Sequence, residues 1–184
     1  MTIEQRLLSA WEKTTQSERN AGASWYPEAH KFADSLAFWT DRTLDTTAAI
    51  ISALSPQLSW EINQHAAEQF VKGNVRPAGV LTNSWYKATE IDAGLMPEVA
   101  FDFARCPKTN SFYHNIRDWR DCRYVTVDRP AARIALGKDS ARFDYGAVAA
   151  AYRSCARHLG IVPSAFQATL WIAERARWQL TFSW

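Results

Sequence analysis

Hydrophobic residues along this chain recur mainly three and four positions apart, the spacing of helices that each bury one face. Thr2 to Gln16 (TIEQRLLSAWEKTTQ) sets Ile3, Leu7, Leu8 and Trp11 on one such face and predicts a first helix. NAGASW, residues 20–25, reads as a loop around its glycine, and Pro27 suits the first turn of a second helix running to about Asp41. LDTTAAIISALS (Leu44 to Ser55) has a threonine-rich start and an apolar body, the pattern of a buried helix. SWEINQHAAEQFVKG predicts another, with Ser59 as its cap and Gly73 as its stop.

Residues 74–82 form a connector. NSWYKATEIDAG predicts a short helix ended by Gly94, and Pro97 opens a turn or helix to about Ala104. KTNSFYHNIRDW predicts a helix with Lys108 and Thr109 at its N-terminal end. DCRYVTV is extended, and Arg123 to Val127 is the one strand-like run. RPAARIALG is a short helix. DYGAVAAAYRSCARHLG and PSAFQATLWIAERARWQ are longer ones, the last burying Phe166, Leu170 and Ala173 and leaving Gln167, Arg175 and Arg177 for polar work. No repeat and no low-complexity linker interrupts the pattern. The expected fold class is all-α, one helical domain over residues 1–184.

Composition changes this picture little. Apolar residues make up 47% and charged residues 22%, as in ordinary globular chains. No apolar run reaches the length of about 18 residues that spans a membrane. The polar N-terminus has no signal-peptide core, so the expected location is cytoplasmic. Cys106, Cys122 and Cys155 are too far apart for a zinc pair and predict reduced thiols. Charge matters more. Residues 1–104 hold 8 Lys and Arg against 13 Asp and Glu, whereas residues 105–184 hold 13 against 6. That asymmetry fits either a polyanion-binding half or solvated helix faces. Nine Trp and six Tyr supply core, and also rings that can stack on unpaired bases.

In VTVDRPAARIALG, Asp128 stands between a β-branched run and a proline at the mouth of a helix. Taken alone, it is a helix cap. Three stretches upstream add a second meaning. LSPQLSWEIN (Leu54 to Asn63), NSWYKATEI (Asn83 to Ile91) and PKTNSFYHNI (Pro107 to Ile116) precede it in order, and Lys108 lies 20 residues before Asp128. Together the four resemble the "LSxQxxDxxVN", "NSKAxxI", "GxKTAxxxL" and "VDTHVxRVxxRLG" motifs of endonuclease-III-like DNA glycosylases, the helix-hairpin-helix (HhH-GPD) superfamily. The resemblance covers roughly residues 46–137.

The resemblance implies a two-lobed all-α domain that flips a base from duplex DNA and cuts its N-glycosidic bond. It makes Asp128 the catalytic carboxylate, stabilising the positive charge that builds on the sugar or activating the nucleophile. The helix-cap role is compatible with this. Lys108 matches the lysine whose amine, once desolvated, attacks C1′ and supports strand cleavage in lyase members. A phosphate-contacting or solvated lysine is the alternative. Gln57 matches the residue that fills the gap left by the flipped base, or else caps a helix. Asn63 bonds backbone between two helices. Arg133 contacts phosphate or holds its loop by an ion pair. Trp25 and Tyr26, on the expected loop, either stack on an extruded base or pack on the core. His30 is neither an expected helper nor an expected ligand.

The departures from the family are specific. FDFARCP replaces the hairpin "LPGxG", so Arg105, Lys108 and Arg117 must supply by charge what glycine backbone supplies elsewhere. VDRP replaces "VDTH", which puts Arg129 beside Asp128. Four clustered cysteines for an iron–sulfur centre are absent, and no metal and no cofactor is expected. The expected partner is DNA with a flipped base, with no membrane and a monomeric chain. The leading expectation is a DNA glycosylase, with lyase activity if Lys108 serves. The texture of the sequence also suits small phage proteins. One alternative is a base-hypermodification enzyme of the glutamyl/putrescinyl-thymine pyrophosphorylase type, which adds an amine to activated 5-hydroxymethyluracil in DNA. The other is a non-catalytic DNA-binding module.

Overall fold

The computed structural model describes residues 1–182, with side chains through residue 177. Among the described residues ten helices follow one another: α1 (Ile3–Glu12), α2 (Gln16–Thr40), α3 (Leu44–Leu54), α4 (Trp60–Val71), α5 (Thr82–Asp92), α6 (Pro97–Ala100), α7 (Pro107–Arg117), α8 (Arg129–Leu136), α9 (Tyr145–Leu159) and α10 (Pro163–Phe182). The described residues include no strand, and the all-α expectation holds. None of these helices is long and apolar enough to cross a membrane.

The chain divides into two compact units. One joins Met1–Glu28 to Asp118–Trp184, and the other is the contiguous stretch Ala29–Arg117. In the first unit α1 packs on α8, α9 and α10, and α10 packs on α8 and α9. Leu7, Tyr152, Phe166 and Leu170 are sealed at its centre, with small residues such as Ala131, Ala135 and Ala156 letting the helices approach. Trp11 lies against Phe166, ring centroids 5.4 Å apart. In the second unit α3 is central and packs on α4, α5, α6 and α7. Every residue of α3 from Thr47 to Leu54 is buried, as its apolar body predicts.

The helix ends follow local chemistry. The hydroxyls of Thr2, Thr43 and Ser59 accept backbone N–H groups at the starts of α1, α3 and α4. Asp128 and Asp144 do the same for α8 and α9. Gly137 closes α8 in the left-handed conformation, φ 69°, where a side chain is disfavoured.

One expectation is overturned. The loop over residues 20–25 does not form, and α2 runs unbroken from Gln16 to Thr40 with Pro27 inside it. Its start is fixed by Thr15 and Glu18. The Thr15 backbone N–H donates to Glu18 Oε2 at 2.6 Å, and the Glu18 N–H donates back to Thr15 Oγ1 at 3.2 Å. Gly22 serves packing, not a turn: a Cβ there would stand 2.1 Å from Thr169 Oγ1 and 2.5 Å from the Thr169 backbone. Trp25 and Tyr26 are therefore helical residues.

The run from Tyr124 to Asp128 has no strand partner. Instead the Tyr145 hydroxyl accepts from the Val127 N–H at 3.0 Å and donates to the Val125 carbonyl at 2.8 Å. Val125 and Val127 are both buried, so this segment is anchored at the point where it reaches Asp128.

Candidate functional site

The anchored segment delivers Asp128 to the mouth of α8, where both of its carboxylate oxygens are engaged. Oδ1 accepts the Ala131 backbone N–H at 2.9 Å, as a helix cap should. Oδ2 accepts the indole N–H of Trp171, on α10, at 2.9 Å. A carboxylate has about four lone-pair sites, so each oxygen can still accept from a further donor. The carboxylate is half-buried and held from two directions.

Aromatic rings extend from this point. The Trp25 ring meets Trp171 at 64°, centroids 6.4 Å apart, and meets Tyr26 edge-on at 4.6 Å. The Arg175 guanidinium lies over the Trp171 ring, 4.6 Å from its centroid. Tyr26 itself is buried, and its hydroxyl donates to Gln167 Oε1 at 3.4 Å. Burial pushes the Tyr26 phenol far above its ordinary range; a hydrogen bond from Thr126 opposes this, and the charge of Asp128 adds to it. Burial likewise raises the Tyr152 phenol, again with Asp128 contributing, while its hydroxyl donates to the Ala131 carbonyl at 3.0 Å. Tyr26 is thus a wall of the core and cannot stack on a base. Trp25 is half-buried, its ring against the indole that bonds the carboxylate. Gln167, expected to be free for polar work, is buried as the partner of Tyr26.

Two arginines follow Asp128 in sequence. Arg129 is exposed and forms a two-pronged ion pair with Asp139, Nε to Oδ1 at 2.8 Å and Nη2 to Oδ2 at 2.5 Å. The pair lowers the Asp139 carboxyl and raises the Arg129 guanidinium. Arg133 Nε meets Glu174 Oε1 at 3.2 Å, a partly buried bridge from α8 to α10. Of its two expected roles, the structure contains the ion pair.

The other residues singled out by sequence belong to the second unit. Lys108 is the second residue of α7 and is exposed; among the described residues its amine has neither a hydrogen bond nor an ion pair. The desolvation that makes a lysine amine a nucleophile is therefore missing at Lys108. Arg105 lies 3.7 Å from Asp102 on an exposed turn. Arg117 is tied down: its Nη1 is 3.3 Å from Asp45 Oδ1 and 3.1 Å from the Tyr113 hydroxyl, which itself donates to Asp45 at 2.6 Å. Both arginines expected to replace the hairpin glycines by charge thus face carboxylates. Gln57 is exposed on the turn after α3 and holds a left-handed backbone, φ 68°. Asn63 is buried on α4, but its Oδ1 accepts no hydrogen bond, contrary to the expected backbone contact. His30 Nδ1 lies 2.9 Å from the Ile116 carbonyl, a structural tie.

Trp171 is the residue that sequence reasoning missed. It directly follows Leu170 at the edge of the apolar face of α10, and nothing local distinguishes it from packing. Among the described residues, no three His, Cys, Asp or Glu side chains stand close enough together to hold a metal ion.

No curated protein and no solved structure matches the chain. Residues 1–178 match the family described as "Family of unknown function (DUF7178)", and the chain belongs to that family.

Proposed function

We propose that this protein is a DNA glycosylase in which Asp128 is the catalytic carboxylate. The observation that carries the reading is Asp128 held from two sides, by the Ala131 N–H and by Trp171, with the half-buried Trp25 ring against Trp171. Breaking the C1′–N bond sends its electron pair out with the base and leaves positive charge on the sugar. A fixed carboxylate stabilises that charge without having to reorganise. Water then adds to C1′, Asp128 takes a proton from it, and the proton ends on the departing base. An aromatic ring beside the carboxylate suits an extruded, flat base. The order of the four motifs supports the same reading. The reading is hydrolytic and leaves Lys108 out of the chemistry, because its amine is exposed.

The test is base release. Duplexes carrying uracil, oxidised, alkylated or hypermodified bases are incubated with the protein and then treated with alkali. One of them is cleaved by wild type and not by Asp128→Asn, while Lys108→Ala retains the activity. If borohydride traps a covalent adduct that Lys108→Ala abolishes, the hydrolytic reading is wrong. If no base is released and pyrophosphorylated DNA, given an amine, exchanges its pyrophosphate for that amine, as mass spectrometry would read, the protein is a base-modifying transferase instead.

A further inference from the structure

The segment that follows α7 carries chemistry that the Asp128 site does not use. It is tied to α9 at one point and to α10 at another. The Ser164 hydroxyl, in the first turn of α10, donates to the Trp119 carbonyl at 2.8 Å. Arg153 Nη1, further back on α9, donates to the Arg123 carbonyl at 3.2 Å. Arg157 stands one turn beyond Arg153 on the same face of α9. These ties hold the stretch that carries Arg120 and Arg123 beside the face of α9 that carries Arg153 and, one turn on, Arg157.

Charge pairing separates three of these four arginines from the ones at the hairpin stretch and beside Asp128. Arg123 is matched by Asp121, Nη2 to Oδ2 at 2.7 Å. Among the described residues, Arg120, Arg153 and Arg157 have no carboxylate partner. Arg105, Arg117, Arg129 and Arg133 all have one. Rings lie beneath the cations: the Arg120 guanidinium is 4.1 Å from the Trp119 centroid, and that of Arg123 is 5.5 Å from Tyr124. A guanidinium stacked on a ring keeps its N–H edge free to bond phosphate oxygens. Asp118 and Asp121 are the acidic groups of the segment. They are occupied locally, by the Arg120 backbone N–H at 3.1 Å and by Arg123.

We infer that the surface formed by Arg120, Arg153 and Arg157 binds the phosphate backbone of DNA. This rests on the reading of the chain as a DNA-acting protein, and it gives that reading a grip other than the glycine-less hairpin. Unpaired arginines release condensed counterions when they meet phosphate, whereas arginines already held by carboxylates must first break those contacts. The sequence asymmetry agrees, since the basic excess lies after residue 104.

The experiment is a salt titration of binding to a short fluorescein-labelled duplex by anisotropy, using the full chain. The triple variant Arg120→Gln/Arg153→Gln/Arg157→Gln removes three cations, and glutamine at 153 retains a donor for the Arg123 carbonyl. Its affinity should fall roughly 10-fold or more, and the slope of log K against log salt should flatten by about 2.7. A control of equal charge change, Lys13→Gln/Lys31→Gln/Lys72→Gln, should bind nearly as wild type does. Equal losses in both variants, no loss in the triple variant, or binding to phosphatidylserine vesicles but not to the duplex would each overturn the inference. Thermal melting confirms that each variant is folded. A protein that binds through these arginines but releases no base refutes the glycosylase reading alone.

Discussion

The indole N–H of Trp171 donates to Oδ2 of Asp128 at 2.9 Å, so α10 fixes the direction of a carboxylate 43 positions earlier in the chain. Trp171→Phe keeps the ring and removes the donor. Asp128→Asn keeps one acceptor oxygen for two donors. A hydrogen bond to a charged group contributes about 1.5–3 kcal/mol, so each change should destabilise the fold by about that much. The double variant should lose less than the sum, by about 1 kcal/mol or more, when measured by urea unfolding. Additive losses would mean that the two side chains do not interact in solution. On the proposed function, Trp171→Phe also lowers kcat more than it raises KM, because Asp128 acts in the transition state.

Gly22→Ala sets two effects against each other. Alanine favours a helix interior by about 1 kcal/mol. Against that, the new Cβ would meet the Thr169 backbone at 2.5 Å, and no rotamer change can relieve a contact with backbone. Overpacking of this kind costs about 1–3 kcal/mol or more, so the net effect should be destabilising. A lowered Tm is expected, and Thr169→Ala should rescue it only in part. A raised Tm would show that α2 and α10 do not cross so closely.

Gln57→Gly tests the strained turn after α3. A left-handed conformation costs a non-glycine residue about 1–2 kcal/mol, and glycine returns about 0.4–1 kcal/mol of that as unfolded-state entropy. The variant should therefore match or slightly exceed wild type in urea midpoint. If Gln57 fills the gap behind a flipped base, base release falls even though stability does not. Loss of stability together with activity would assign Gln57 a packing role.

The buried phenols of Tyr26 and Tyr152 predict alkaline sensitivity. Both are raised above their ordinary values in the folded chain. Their stabilisation is fully present below the unfolded phenol value of about 10 and is lost as pH rises above it. Each phenol should steepen the loss of stability by about 1.4 kcal/mol per pH unit above pH ~10. Denaturation at a series of alkaline pH values checks this, and Tyr152→Phe should remove one such increment. An unchanged slope in that variant would place the hydroxyl in contact with solvent.

Local chemistry made much of the fold legible. The caps at Thr2, Ser59 and Asp128, and the stop at Gly137, involve groups a few residues apart and can be read along the chain. The start of α2 was equally readable, since Thr15 and Glu18 have the spacing of a capping box. Gly22 and Pro27 outweigh that cue when both are taken as punctuation, because sequence cannot tell a packing glycine from a turning one. The site was half legible. Asp128 is visible from its neighbours, but Trp171 is not, because its bond joins helices distant in sequence. Arginine charge could be counted, but which arginines were already neutralised could not. The Arg117–Asp45 pair spans 72 positions, while Arg120 has no such partner among the described residues.

The unit that holds Asp128 is assembled from both ends of the chain, while the other unit is a single uninterrupted stretch. During synthesis the middle of the protein can therefore complete its contacts while α1 still waits for α8, α9 and α10 to emerge. Closing contacts across so long an intervening segment is the slow step that contact order predicts. The carboxylate on which the proposed chemistry depends would be assembled only after the middle unit, so no fragment ending before α10 would contain a finished site.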